Sequence, residues 1–328
     1  MNILVTGGAG YIGSVLNKEL VCQGHQVIVL DNLRQGHRVA VVPEAIFIEV
    51  DLSDRGALED VFRHHCIEAV MHLAADTSVE YSIREPGRFF WNNVACGINL
   101  LECMSNNGVK RLVFSSSASV YGQPKEMPIT EAAPVSPVNA YGESKLMFER
   151  ILYWYGKAYG LSSVCLRYFN VAGASDWFGE DHRPETNLIP NVIKVALGQK
   201  DYVPIFGNDY DTNDGTCIRD YIHVLDIARA HILALSCLEG KLNSRVYNLG
   251  NGEGYSVIEV IEAVKRVTGA AIPVKVCPRR SGDAARVIAS YDLAKAEMGW
   301  KPEYPELESI IESAWKWQKE HPQGYNSK

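Results

Sequence analysis

Along the first 170 residues, short runs of β-branched and aliphatic residues alternate with longer stretches in which apolar positions recur every three or four residues. The short runs are Ile3–Thr6, Val27–Leu30, Ile46–Val50, Ala69–Leu73, Leu112–Ser115 and Ser163–Arg167. Nearly continuous apolar runs of this length suit strands covered on both faces. With helix-length segments between them, they predict an α/β fold built on a doubly wound parallel sheet. After Asn170 the alternation is interrupted at Gly173, Gly179 and Pro184, as expected of a smaller, loop-rich α/β domain. The expected division is therefore 1–170 and 171–328, with the amphipathic segment 219–238 returning to the first domain. Val246–Gly250 reads as one more strand, near the edge of the sheet.

The turn after the first strand is Gly7-Gly8-Ala9-Gly10-Tyr11-Ile12-Gly13. Glycines there permit a tight turn, let a pyrophosphate reach backbone N–H groups and let the next helix pack on the strand. Asp31 closes the second strand 18 residues beyond Gly13, where a carboxylate can bind an adenosine ribose. The carboxylate favours NAD over NADP by repelling a 2′-phosphate, and Arg34 and Arg38 weigh slightly the other way. Asp51-Leu52 follows the third strand, placed for the adenine edge or as a helix cap for the segment from Ser53. His72 reads as a packed core histidine. Leu73-Ala74-Ala75 offers small residues against which a cofactor can lie, and Asn92 opens a helix-like run.

Three serines, Ser115-Ser116-Ser117, end the fifth strand, at the edge where parallel sheets bind ligands. Farther on stands Tyr141-Gly142-Glu143-Ser144-Lys145. A spacing of four puts the tyrosine and the lysine on one helical face. An ammonium fixed beside a phenol is expected to favour the phenolate, making Tyr141 a proton acceptor, with Ser117 bridging it to a substrate hydroxyl.

Composition narrows the partners. The formal charge is -7, with an apolar fraction of 47%. That balance offers no basic footprint for nucleic acid or an anionic membrane, and no run approaches the ~18 apolar residues of a spanning helix. Met1 leads straight into a strand, leaving no room for a signal peptide. The eight cysteines are widely spaced, and read as reduced core residues of a cytoplasmic protein, not as disulfides or a zinc site.

The glycine turn, the serine strand end and Tyr141-x-x-x-Lys145 together resemble the extended short-chain dehydrogenase/reductase superfamily. Arg167–Gly173, Ile205–Tyr210, and the run from Asp214 through Arg219-Asp220-Tyr221 to Val224 narrow the resemblance to the UDP-glucose 4-epimerase (UDP-galactose 4-epimerase) family, from Met1 to the His321–Tyr325 tail. The resemblance implies a Rossmann domain holding NAD tightly, a UDP-sugar-binding domain and a homodimer formed through helices near Pro86–Asn107 and Ala140–Tyr159. It implies cofactor contacts at Gly7, Gly10, Tyr11, Ile12, Gly13, Asp31, Asn32, Asp51, Leu52, Leu73, Ala74, Ala75, Asn92, Ser115, Tyr141, Lys145 and Tyr168. Catalysis falls to Ser117, Tyr141 and Lys145. For the substrate it implies Arg219, Arg280 and Asn187 at the diphosphate, Asn170 near sugar and diphosphate, Phe206 on the uracil and Asp283 on the uridine ribose.

Two departures stand out. Where some epimerases carry a lysine after the fourth strand, this chain has Asp76-Thr77-Ser78. Counting from Gly282-Asp283, Val287 occupies a position that is a large tyrosine in some members and small in others. A valine leaves room for an N-acetyl group, so UDP-N-acetylhexosamines are expected as further substrates. The other readings are a UDP-pentose or UDP-glucuronate 4-epimerase, a decarboxylase, a dehydratase and a catalytically idle NAD-binding regulator. A dehydratase calls for an acid and a base beside the strand end, and Ser117-Ala118-Ser119-Val120 supplies no carboxylate.

Overall fold

A computed structural model describes residues 1–239, 244–280 and 282–326, so Ser281 of the Arg279–Asp283 motif lies outside the described residues. The chain divides into two compact units: Met1–Gly122, Val135–Tyr168 and Ala228–Tyr247 form one, and Gln123–Pro134, Phe169–Ile227 and Asn248–Lys328 the other. The single cut expected after residue 170 is thus replaced by a chain that passes between units several times, and the return begins at 228 instead of 219. Asp226 accounts for the later start. Its carboxylate accepts hydrogen bonds from the backbone N–H groups of Glu303 and Tyr304, and its carbonyl accepts one from Trp300 Nε1. The next turns of the same helix, Val224–Glu239, bury Ala228, Ala230, Ala234 and Leu235.

The first unit is built on β1 (Asn2–Thr6), β2 (Gln26–Asp31), β3 (Ile46–Glu49), β4 (Ala69–His72), β5 (Arg111–Ser117) and β6 (Ser162–Tyr168). The sheet order is Arg245–Leu249, β6, β5, β4, β1, β2, β3. All five pairings among β1–β6 are parallel. Chain direction across the sheet reverses between β1 and β4, the crevice where such sheets take a ligand. Helix α1 (Tyr11–Cys22) follows β1, and α2 (Arg55–His64) is capped by Asp54, whose side chain accepts from Ala57 N. Leu4, Val70, Leu100, Leu112, Phe114 and Phe148 lie in one apolar cluster of this unit.

In the second unit, helices Leu188–Ala196, Val257–Thr268 and Leu307–Glu320 share a core that includes Ile189, Val192, Val260, Val264, Ile310 and Ile311. Ser256 and Glu259 form a reciprocal capping box at the start of the middle helix. Strand Ile218–Arg219 pairs in parallel with Arg286–Val287 and antiparallel with Tyr255–Ser256. Asp220, fully buried, accepts from the backbone N–H groups of Asn251, Gly252 and Ala289, tying two segments to one carboxylate.

All eight cysteines are free, but the expectation that they are core residues holds only for Cys96, Cys103 and Cys165. Cys22 and Cys66 are exposed, the first as the last residue of α1 and the second just beyond α2. Among the described residues no helix is long and apolar enough to cross a membrane.

Candidate active site

The helix Ala140–Tyr159 begins at Asn139, whose side chain accepts from Gly142 N at 2.8 Å. Gly142 is required there because a Cβ would lie 2.5 Å from the Ser119 carbonyl oxygen. That close approach sets Tyr141 beside the end of β5. Tyr141 is 8% exposed, Lys145 2% and Ser117 7%. The three residues are brought together within the first unit.

The electrostatics differ from the expectation that Lys145 lowers the phenol. Burial pushes Tyr141 up from its ordinary value, with a hydrogen bond from Ser117 pulling the other way. Lys145 Nζ lies 5.9 Å from the centre of the Tyr141 ring and donates to the Ser115 carbonyl at 2.7 Å. Burial brings the lysine itself down to about 7, opposed by the Glu149 carboxylate. In a low-dielectric setting, desolvation outweighs an ammonium that is bonded elsewhere. Tyr168, opposite Ser117 in the β5–β6 register, is also raised by burial.

Of the residues expected at the cofactor, the glycine turn, Asp31-Asn32, Asp51-Leu52 and Leu73–Ala75 lie at or just beyond the carboxyl ends of β1, β2, β3 and β4. Gly7 has φ +70°, and a Cβ there would lie 2.6 Å from Ala74 N. At Gly13 a Cβ would lie 2.5 Å from the Gly7 carbonyl oxygen, so neither position tolerates a side chain. Tyr11 and Ile12 open α1, whose N-cap Gly10 supplies no side-chain hydrogen bond and whose first turn has no acid. Asp31 accepts from Ala9 N at 3.0 Å and Leu33 N at 2.9 Å, fastening the glycine turn to β2. Burial raises this carboxyl, and those amides offset part of the rise.

Asn32 Nδ2 donates to Asp51 Oδ2 at 2.6 Å. Asp51 caps a short turn through Ser53 N and does not cap α2, the role Asp54 fills. Leu52 belongs to the apolar cluster. Arg34 stands 3.9 Å from both Asp51 and Asp76, and Arg38 lies over the Phe47 ring at 4.5 Å. Both arginines are exposed, and each has a neighbour within the first unit.

At the position of the missing lysine, the neighbouring Asp76 is 7% exposed and holds Arg88 through Nε at 3.0 Å and Nη2 at 2.8 Å. The helical run expected from Asn92 begins earlier, at Pro86, and passes through a π-helical turn, Trp91–Ala95. That turn, a feature frequent at functional sites, sends Asn93 inward. Its side chain bonds Asp76 N and O and Ser144 Oγ, while Asn92 stays half-buried. His72 packs against Phe114 and Phe148, bonds Thr6 Oγ1 at 2.7 Å and is driven down to about 3 by burial.

The residues expected at the substrate lie in the second unit, and several engage one another. Arg219 Nη2 meets Asp283 Oδ1 at 3.3 Å, and its Nη1 donates to the Ala284 carbonyl at 2.9 Å. The Arg280 guanidinium lies 3.9 Å above the Phe206 ring, occupying one face of the ring expected to stack on a base. Asn187 Nδ2 donates to Glu180 Oε1. Asn170 is exposed, and Val287, half-buried, is the strand partner of Arg219.

Sequence reasoning missed the layer behind the helix Ala140–Tyr159. Glu149 follows Lys145 by four residues, the same spacing that singled out Tyr141 and Lys145. It takes a two-pronged hydrogen bond from Arg167 and one from Ser116 Oγ.

Residues 3–250 match the NAD dependent epimerase/dehydratase family. The chain is 51% identical over 329 residues to a UDP-glucose 4-epimerase of Halalkalibacterium halodurans, covering 100% of this chain and 98% of that protein. It superposes on a crystal structure of a UDP-glucose 4-epimerase with a TM-score of 0.97 at 49% identity, each chain covered in full (100%). A UDP-glucose 4-epimerase from Bifidobacterium longum, solved in complex with NAD+ and UDP, gives a TM-score of 0.95 at 40% identity, covering 99% of this chain and 100% of the other.

Proposed function

The chain belongs to the UDP-glucose 4-epimerase family, within the NAD dependent epimerases and dehydratases, and from that premise we propose that Ser117, Tyr141 and Lys145 interconvert UDP-glucose and UDP-galactose. The observation carrying this reading is the meeting of these three buried side chains at the carboxyl end of β5.

NAD suits the residues of the first unit. The uncapped amino end of α1 offers backbone N–H groups to a pyrophosphate, and Asp31 retains acceptor capacity for ribose hydroxyls. When bound, NAD supplies the hydride acceptor and donor that a non-acidic C4–H bond requires. The protein's part is proton handling and orientation. Tyr141 takes up the 4-hydroxyl proton as the sugar passes to a 4-ketose and returns it on the way back. A phenol of raised proton affinity is the stronger base once ionised. Ser117 donates toward its oxygen, and Lys145 contributes positive charge. We assign Arg219, Arg280 and Asn187 to the diphosphate, Asn170 to the sugar and diphosphate, the free face of Phe206 to uracil and Asp283 to the uridine ribose. Val287 leaves room for an N-acetyl group at C2.

A cytoplasmic homodimer completes the proposal. It is supported by free cysteines throughout and by exposed aromatics on the two helical stretches named for the interface: Trp91 at 63%, Tyr153 at 52%, Trp154 at 67% and Tyr159 at 54%. Incubating the protein separately with UDP-galactose, UDP-N-acetylgalactosamine and UDP-xylose, and identifying the products, tests the reading. UDP-glucose must form from the first, and its absence would overturn the assignment.

A further inference from the structure

Apart from the catalytic residues, one loop of the second unit gathers metal-ligating side chains. Glu180, His182 and Glu185 each present a donor atom, and these atoms all lie within 4.8 Å of one another. No second group of this kind occurs among the described residues. Glu180 is 5% exposed, and its Oε1 accepts from His182 Nδ1 at 2.9 Å and from Asn187 Nδ2. Glu185 gives Oε1 to the backbone N–H of Asn187 at 2.8 Å. Its Oε2 is shut off from solvent and has no hydrogen-bond partner.

His182 meets Glu180 at 2.9 Å, and Arg183 pairs with Asp181 at 3.0 Å. Of the three metal-ligating side chains, Glu180 also lines a small cavity with Gln318 and with Trp317, which is 2% exposed and whose indole N–H has no partner.

We propose that Glu180, His182 and Glu185 form a site for a divalent cation of the zinc type, which clips the 180–187 loop and fixes Asn187 at its end. Zinc takes imidazole nitrogen and carboxylate oxygen at about 2.0–2.2 Å, and tetrahedral geometry then sets neighbouring donors roughly 3.3 Å apart. His182 Nδ1 and Glu180 Oε1 stand at 2.9 Å, so a small opening of the loop admits the ion. The ion satisfies Glu185 Oε2. The fourth position remains for a water. Such an ion acts as a structural clip and takes no part in chemistry at C4. This goes beyond the proposed epimerase reading and does not depend on it.

The test uses full-length protein freed of metal by a chelator and dialysed. Zinc chloride titrated calorimetrically should bind at one equivalent per chain, and at least tenfold more weakly in both Glu185→Gln and His182→Gln. Cobalt(II) added to the unaltered protein should give visible bands of nitrogen and oxygen coordination without thiolate charge-transfer absorption. Absence of saturable uptake would overturn the proposal. So would uptake unchanged in both variants, or a thiolate band, either of which would place the ion elsewhere.

Discussion

Arg167 and Glu149 face each other as a two-pronged ion pair, Nε to Oε1 at 2.9 Å and Nη2 to Oε2 at 2.6 Å, with side chains only 7% and 6% exposed. The pair joins β6 to the helix that carries Tyr141 and Lys145, and Arg167 also donates to Tyr121 Oη at 2.9 Å. Replacing Arg167 with Met strands a buried carboxylate, so the fold should lose roughly 3–5 kcal/mol, read from denaturant unfolding. Glu149→Gln should act on catalysis as well, because Glu149 is what holds Lys145 up against burial. The alkaline limb of the pH–rate profile should move to lower pH. A destabilised variant with an unmoved limb would confine Glu149 to a structural role.

Tyr141→Phe removes the proposed proton acceptor and leaves the glycine turn and Asp31 untouched. Turnover should fall by about 10²–10⁴-fold, the usual contribution of a positioned acid or base. Protein purified from either form should carry bound NAD(H), detectable after denaturation. Turnover persisting within a few-fold of the parent would remove Tyr141 from its role.

His72 gives the fold a defined acid sensitivity. Its folded value is about 3 against an ordinary 6.5. A depressed histidine binds its proton more readily when unfolded. Its contribution to stability is therefore complete above pH ~6.5 and is lost as pH falls toward ~3, at up to about 1.4 kcal/mol per unit. Unfolding free energies measured at several pH values in that window should fall less steeply in His72→Gln than in the parent chain, whatever the difference in absolute stability.

Val287 is half-buried on a two-residue strand beside Arg219. Val287→Tyr adds bulk where the N-acetyl group is assigned, so turnover of UDP-N-acetylgalactosamine should be abolished while UDP-galactose remains a substrate. Equal loss on both sugars would reject the specificity role.

Much of this architecture is legible in the sequence because it follows from local rules. Each of the six runs named as strands contains or overlaps a strand of the sheet, and Gly7 and Gly13 are needed for close approaches that no Cβ survives. What local rules omit is partnership across the fold. Asn93, Arg88 and Glu149 acquire meaning only once Asp76, Ser144 and Arg167 are brought to them. The same holds for electrostatics. A spacing of four put Lys145 on the face of Tyr141, but whether ammonium or burial governs the phenol depends on the Ser115 carbonyl that takes the lysine's hydrogen bond. Interleaving of the two units was half visible, in a helix that periodicity located and Asp226 divides.

In the proposed reaction the hydride taken from C4 returns to the same carbon without exchange. UDP-galactose carrying deuterium at C4, run to equilibrium in ordinary water and analysed by mass spectrometry, should give UDP-glucose with its deuterium at C4 and none in the solvent; deuterium lost to water in step with turnover would overturn transient oxidation at C4.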